Sequence, residues 1–297
     1  MNFRDLNYFV ALAKLKNYTA AAQQFHVSQP TITYAIKRLE KELQVSLLQR
    51  DQSHRQIELT LAGQQFFQHA KLILHELTIA KQELASTKQA KIRFGLPPII
   101  GTYYFPHLAS YLAQHNLIQH LNTTEAGSAA LLDQLKAGKL DMALLGSIQP
   151  LTDQVVQAQV LTNWPFKLIV SPQHPLAKQT QVSFKQLATE KFITLQEGFV
   201  HPLALQQLAK PAGFKPEIIY TTPDINLLKN MVAQNIGIGF LTSLALTQTD
   251  TIVPLKLSDN RQPQFLISLA YRQNQTQSPL KKQLFAQLRK GFTTMEV

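Results

Sequence analysis

Apolar positions recur at helical spacing through the first ninety residues and alternate between strand and helix spacing beyond them. Leu6, Phe9, Val10 and Ala13 stand at i, i+3, i+4 and i+7, which makes one apolar face of a helix within residues 2–15. Thr19 suits the N-cap of a short second helix, Ala20–Phe25. Ser28 suits the next N-cap, with Pro30 in the first turn, where its missing N–H costs nothing. The third helix then runs to about Leu43. Ile32, Ile36, Leu39 and Leu43 form its inner stripe, and Thr33, Tyr34, Lys37 and Lys41 fall opposite. Two short helices, a tight link and a third helix with a polar, basic outer face predict a helix-turn-helix. Gln49–Leu59 is polar and reads as a β-hairpin wing. Thr60 can cap a long helix reaching about Lys88. Within it Phe67, Ala70, Leu74, Leu77 and Leu84 make a narrow stripe interrupted by Lys81. A narrow stripe on a helix roughly 43 Å long predicts burial against a second helix, hence a dimer. Packing against the same chain is the alternative.

Beyond Lys91 the pattern predicts a strand at Ile92–Leu96, a helix at Gly101–His115, a strand at Gln119–Thr124, a helix at Ser128–Ala137 closed by Gly138, and a strand at Leu140–Leu145. This βαβαβ order implies a parallel sheet. Further strands are expected at Val155–Leu161, Phe166–Val170, Phe192–Leu195, Glu217–Thr221, Ile238–Leu241 and Phe265–Tyr271. Lys185–Ala188 reads as a helical turn. Longer helices are expected at Pro202–Pro211, Ile225–Gln234 and Leu280–Phe292. No repeat or low-complexity run interrupts the series.

Composition narrows the chemistry. A length of 297 residues suggests about two domains, and 45% apolar with 16% charged residues is an ordinary globular balance. There is no cysteine, which removes disulfides, thiolate metal sites and thiol catalysis. No apolar run is long enough to span a bilayer. Met1–Val10 lacks the features of an export signal, so a cytoplasmic chain without membrane contact is expected. The formal charge is +11. Residues 1–90 carry 11 Lys/Arg against 7 Asp/Glu and residues 91–297 carry 18 against 11, nets of +4 and +7. Most of the excess therefore lies outside the head. Basic charge fits a nucleic-acid partner without specifying one.

The nine histidines form no H-E-x-x-H and no compact ligand set. Gly237-Ile238-Gly239 lacks the third glycine of a dinucleotide fingerprint, and neither a P-loop nor Gly-x-Ser-x-Gly occurs. We expect no enzyme, no cofactor and no metal site.

Residues 2–74 resemble the DNA-binding head of LysR-type transcription regulators. The resemblance rests on Phe9 in "YFVALA", Thr19-Ala20-Ala21-Ala22, Val27-Ser28-Gln29-Pro30, Ile36, Leu39-Glu40, Leu47, Arg50 and Leu59-Thr60-Leu61-Ala62-Gly63. "GKLDMALLG" at 138–146 and "NIGIGFL" at 235–241 extend it over nearly the whole chain. Residues 27–43, "VSQPTITYAIKRLEKEL", are similar to malolactic-fermentation regulators, which would imply malate as effector. Three positions depart from the family pattern. Gln44 stands where a glycine commonly ends the recognition helix, so the helix is expected to end differently. Leu48 replaces a phenylalanine, and Tyr34 stands where the family often offers arginine to DNA.

The resemblance implies an α/β protein with an N-terminal all-α winged helix-turn-helix (1–59), a long linker helix (60–90) and a two-lobed effector domain (91–297) like that of periplasmic binding proteins. Lobe I would comprise 91–161 and 266–297, and lobe II 162–265. It also implies double-stranded DNA with an interrupted palindrome as partner, a homodimer or tetramer, and RNA polymerase as a further candidate. The major groove admits a helix and distinguishes every base pair. Ser28, Gln29, Pro30, Thr31, Thr33 and Tyr34 start or face outward from the third helix, and glutamine can pair bidentately with adenine. Lys37 and Arg38 suit phosphates, which position rather than specify. Arg50 and Arg55 suit the backbone or minor groove, although Arg50 can instead pair with Glu58 or Asp51, and Ser28 can be only a cap.

Ligands in open α/β folds bind beyond the carboxyl ends of parallel strands, where helix N-termini favour anions. Reading those ends gives Pro98, Ile100, Thr102, Glu125, Ser128 and Gly146 in one lobe, and Thr194, Phe199, His201 and Thr222 in the other. Small hydroxyls and bare backbone at helix starts point to a small organic acid, against which Glu125 argues unless it meets a hydroxyl or amine. A solute-binding protein would share this fold but lack the head. A non-specific nucleoid protein would share the charge and show only salt-dependent binding.

Overall fold

The computed structural model describes residues 1–50, 57–87, 91–273 and 278–293. The chain divides into two compact units, Met1–Leu84 and Ala85–Val297.

The first unit begins with α1 (Phe3–Leu15), α2 (Tyr18–Gln24) and α3 (Gln29–Leu43). Their inner faces meet in one core around Leu6, Phe9, Leu12, Ile32, Ile36 and Leu39. The second helix starts earlier than expected. Asn17, not Thr19, caps it, because its extended backbone lets Oδ1 accept the Ala20 N–H at 3.0 Å. Ser28 precedes α3 but makes no side-chain cap; its hydroxyl meets Thr31 Oγ1 at 2.9 Å instead. Gln44 ends α3 in the left-handed conformation, φ 57° and ψ 29°, with its N–H on the Glu40 carbonyl. The helix thus closes in the way a glycine would close it, and a glutamine carries the steric cost.

The wing is a two-stranded antiparallel pair, β1 (Leu48–Arg50) and β2 (Ile57–Leu59), with Gln49 opposite Glu58. Helix α4 (Leu61–Thr87) follows. Thr60 Oγ1 accepts the Gly63 N–H at 2.9 Å and donates to the Ser46 carbonyl at 2.6 Å, which caps α4 and ties it to the wing. A Cβ on Gly63 would stand 1.9 Å from the Leu47 carbonyl oxygen, so only glycine permits this approach. Phe66, Phe67, Ala70 and Leu74 complete the head's own core, with the Phe9 and Phe66 rings 5.3 Å apart. Much of the stripe expected to bury against a second helix is therefore satisfied within the chain. Leu72 and Leu84 stay 61% and 68% exposed.

The second unit starts with β3 (Ile92–Leu96), α5 (Pro98–Tyr103) and α6 (Phe105–Gln114). The single helix expected over 101–115 is two. Pro106, in the first turn of α6, has no N–H to continue the ladder, and the chain bends at Tyr104. Next come β4 (Leu121–Glu125), α7 (Ser128–Lys136), β5 (Met142–Ser147) and β6 (Val156–Val170). The two strands expected over 155–170 are one. β6 pairs with the later strand β12 (Gln264–Arg272) as far as Pro165 and with β10 (Ile238–Thr242) from Phe166. The proline falls where the partner changes, so its missing N–H leaves no ladder open.

Between these crossing strands lie β7 (Gln181–Val182), β8 (Lys191–Leu195), α8 (Val200–Ala212), β9 (Glu217–Thr222), α9 (Ile225–Ala233), β10 and β11 (Val253–Leu257). β7 and β11, which pair in parallel, have too short or too mixed a pattern to be anticipated. α10 (Pro279–Thr293) follows β12. The strand order β4-β3-β5-β12-β6-β10-β8-β9 makes two lobes, each with a parallel set, joined through β6 and β12. Buried Asp141 fastens α10 to lobe I: it accepts from Arg93 at 3.0 Å and Lys281 at 2.8 Å. Burial alone would raise its carboxyl, but these partners and the Arg93 backbone N–H outweigh it and hold it at about 2. Among the described residues, no helix is long and apolar enough to cross a membrane.

Candidate functional site

The outer face of α3 is polar and open. Ser28, Gln29, Pro30, Thr31, Tyr34 and Lys37 are exposed, Tyr34 at 69%. Thr33 is half-buried, and its hydroxyl donates to the Gln29 carbonyl at 3.2 Å, so it supports the helix start. Arg38 makes a contact that the sequence pattern did not announce. Its Nε donates to Oδ2 of buried Asp5 at 2.8 Å, and Nη2 donates to Oδ1. This paired hydrogen bond, from the third helix to the first turn of α1, lowers the Asp5 carboxyl. Arg38 therefore braces the helix pair, with 53% of its side chain still exposed. Arg55 lies outside the described residues, as does the side chain of Arg50.

In the second unit a cleft of about 930 Å³ opens between α7, the segment after β5 and α8. Ser128, Gly146 and Phe199 line it, as three of the expected effector residues. Ser128 Oγ accepts the Gly146 N–H at 2.9 Å, which locks the start of α7 to the end of β5. The N-caps of α7 and α8, Gly127 and Phe199, make no side-chain cap, and neither first turn is acidic. The two helix starts lie close: a Cβ on Gly127 would stand 2.9 Å from the Gly198 carbonyl. Two positive dipole ends thus face one cleft.

The remaining expected residues do not line this cleft. Ile100 lies in the main core. Pro98 and Thr102 share its short helix α5. Glu125 ends β4 with its carboxylate beside Gly101, where a Cβ would stand 3.3 Å away. Thr194 is buried in β8. Thr222 is buried and uses Oγ1 to accept the Asp224 N–H at 3.0 Å. His201 turns into the core, where Nε2 accepts the Thr242 N–H at 3.3 Å. Full burial pushes its imidazole down to about 3, so it is neutral at physiological pH and cannot serve as a cation. Its ring packs edge-on against Phe166 and beside Phe265.

Pattern reading missed most of the wall: Leu132, Ile148, Pro150 and, on α8, Leu203, Gln206, Gln207 and Lys210. The α8 set does carry a signal. Its members recur at i, i+3, i+4 and i+7, so Leu203, two amides and Lys210 share one helix face. Among the described residues no cluster of His, Asp and Glu is placed to hold a metal ion.

Residues 3–64 match the bacterial regulatory helix-turn-helix protein, lysR family, and residues 85–293 match the LysR substrate binding domain. The malolactic fermentation system transcriptional activator of Lactococcus lactis is 32% identical over 283 residues, 95% of this chain and 96% of that protein. The hydrogen peroxide-inducible genes activator of Haemophilus influenzae is 32% identical over 289 residues, 95% and 93% of the two chains. Among solved structures, the effector binding domain of QuiR in complex with shikimate superposes with a TM-score of 0.63 at 16% identity, covering 70% of this chain and all of that one. The chain belongs to the LysR family: it is a DNA-binding transcription regulator with an effector-binding domain.

Proposed function

We propose that the chain reads a specific, interrupted palindromic operator and that a small organic acid in the interlobe cleft controls it. The observation that carries the effector reading is the pair of uncapped helix starts, α7 and α8, facing one cleft. Backbone N–H groups at the helix starts, at Ser128 and Val200, suit a carboxylate. Lys210 and the Gln206–Gln207 amides supply a second polar end, and Leu132, Ile148 and Leu203 an apolar body between them. Glu197 at the rim disfavours a second acid group close to α8. Shikimate in QuiR and the malolactic role of the Lactococcus lactis relative fit the same class.

Peroxide is the other ligand suggested by a relative. The chain has no cysteine, so it offers no thiol for peroxide to oxidise. Malate and shikimate are therefore the first probes. In a thermal melt of the full chain, a binding acid at a hundredfold excess over Kd stabilises it by about 2.7 kcal/mol. The gain should fall sharply in Leu203→Glu. No stabilisation by any carboxylic acid, alongside clear stabilisation by an amine or a neutral sugar, would refute the reading.

On the DNA side, Gln29, Pro30, Thr31 and Tyr34 approach base edges, and Lys37, Arg50 and Arg55 grip the backbone. The exposed Leu72 and Leu84 of α4 supply a contact between copies, giving a homodimer or a tetramer built from it. The protein works in the cytoplasm beside RNA polymerase and catalyses no reaction.

A further inference from the structure

A buried cation joins the two lobes away from the cleft wall. Lys229, on α9 of lobe II, is 5% exposed. Its Nζ donates to Asp250 Oδ2 at 2.9 Å and Oδ1 at 3.1 Å, and to the Tyr103 hydroxyl at 3.2 Å. The ammonium also lies 4.9 Å from the centre of the Tyr103 ring. Asp250 belongs to lobe II, and its Oδ2 accepts the Thr247 N–H at 2.7 Å. Tyr103 is the last residue of α5, in lobe I.

The division of labour within this cluster matters. Lys229 and Asp250 neutralise each other inside lobe II. The third contact of the ammonium crosses to a neutral group of lobe I. Parting the lobes at this point therefore strands no bare charge. A cross-lobe salt bridge would strand one, and breaking it would be far more costly. Helix α5 is short and begins directly after β3, so a push at Pro98 or Thr102 is carried to Tyr103 as a rigid turn. Its far end is the latch. The lobes are connected through β6 and β12, and β6 changes partner at Pro165–Phe166, the natural place for a hinge in this proposal.

We propose that Tyr103 and Lys229 form a reversible latch between the lobes, with Lys229 as a positioning residue that sets the lobe angle. The latch stands on its own geometry. Its coupling to the cleft rests on the effector reading above.

The absence of cysteine makes the test clean. Lys139→Cys in lobe I and Lys185→Cys in lobe II, both exposed, carry a nitroxide pair in the full chain, diluted with unlabelled protein so that only distances within one chain are read. Tyr103→Phe removes the crossing hydrogen bond and keeps the ring. A Lys229→Met, Asp250→Asn double variant removes the cluster without a stranded charge. Each should add a second interlobe distance population of about a tenth or more. An unchanged distribution in both variants, whatever their melting temperatures, overturns the latch. Malate or shikimate added to the labelled parent should shift the same distribution. A shift with the variants but with no carboxylic acid retains the latch and defeats the effector reading.

Discussion

The head and the effector domain each bury one acidic residue against arginine, and the two pairs differ in what surrounds them. Asp5 meets one cationic side chain, Arg38, which is 53% exposed. Asp141 meets Arg93 and Lys281, only 20% and 11% exposed, so little solvent shares the charge. The first pair braces two helices whose proposed DNA face is outside. The second fastens α10 onto a lobe whose proposed ligand face is a cleft. Recognition on an open helix needs only local order. Recognition in a cleft needs two lobes held rigid in themselves and movable against each other.

The largest expected effect follows from that contrast. Asp141→Ala leaves two half-buried cations without their shared carboxylate and should cost about 3 kcal/mol. Trp164, the single tryptophan, lies in the same unit, so its fluorescence reports this loss in urea. Asp5→Ala should cost clearly less, because water can solvate the released Arg38; helical circular dichroism reports it. Equal losses would erase the distinction. The acid limb sharpens it. The Asp141 carboxyl is held below its unfolded value at about 2. Its stabilisation is thus fully present above the unfolded value near 4 and disappears as pH falls towards 2. Asp141→Asn should flatten the loss of stability over that window.

Next in size is Gly63→Ala. The added Cβ would press on the Leu47 carbonyl oxygen and should cost the head about 2–3 kcal/mol, with the Trp164 transition unmoved. Smallest, and opposite in sign, is Gln44→Gly. It relieves a left-handed glutamine at the end of α3 and should stabilise the head by about 1 kcal/mol. A destabilised Gln44→Gly head would mean that the glutamine side chain holds something the backbone does not reveal.

The same contrast explains what could be read in advance. The head's proposed site is contiguous: residues 28–37 form one helix start and face, so periodicity put Gln29, Tyr34 and Lys37 together on an exposed face. Errors there were local. Asn17 replaced Thr19 as cap, and Arg38 turned to an acidic residue 33 positions away. The cleft is assembled from segments far apart in the chain. Strand ends pointed to Ser128, Gly146 and Phe199, which do line it. They could not reveal that His201 rotates into an aromatic core, or that Thr222 spends its hydroxyl on Asp224. Which way a side chain leaves a helix start depends on the neighbouring sheet, and that pairing is long-range. The continuous β6 illustrates the same limit. Pro165 breaks the sequence pattern but not the strand, because the partner changes at that residue.

In the proposed reading, residues 28–37 recognise DNA sequence rather than charge alone. Equilibrium binding of the full chain should be measured on a duplex selected from a random library and on its scrambled counterpart, at one fixed salt concentration. Gln29→Ala should lose about 1–3 kcal/mol on the selected duplex and almost nothing on the scrambled one. Lys37→Ala should weaken both alike and shallow the salt dependence. An equal loss for Gln29→Ala on both duplexes would contradict sequence reading by α3.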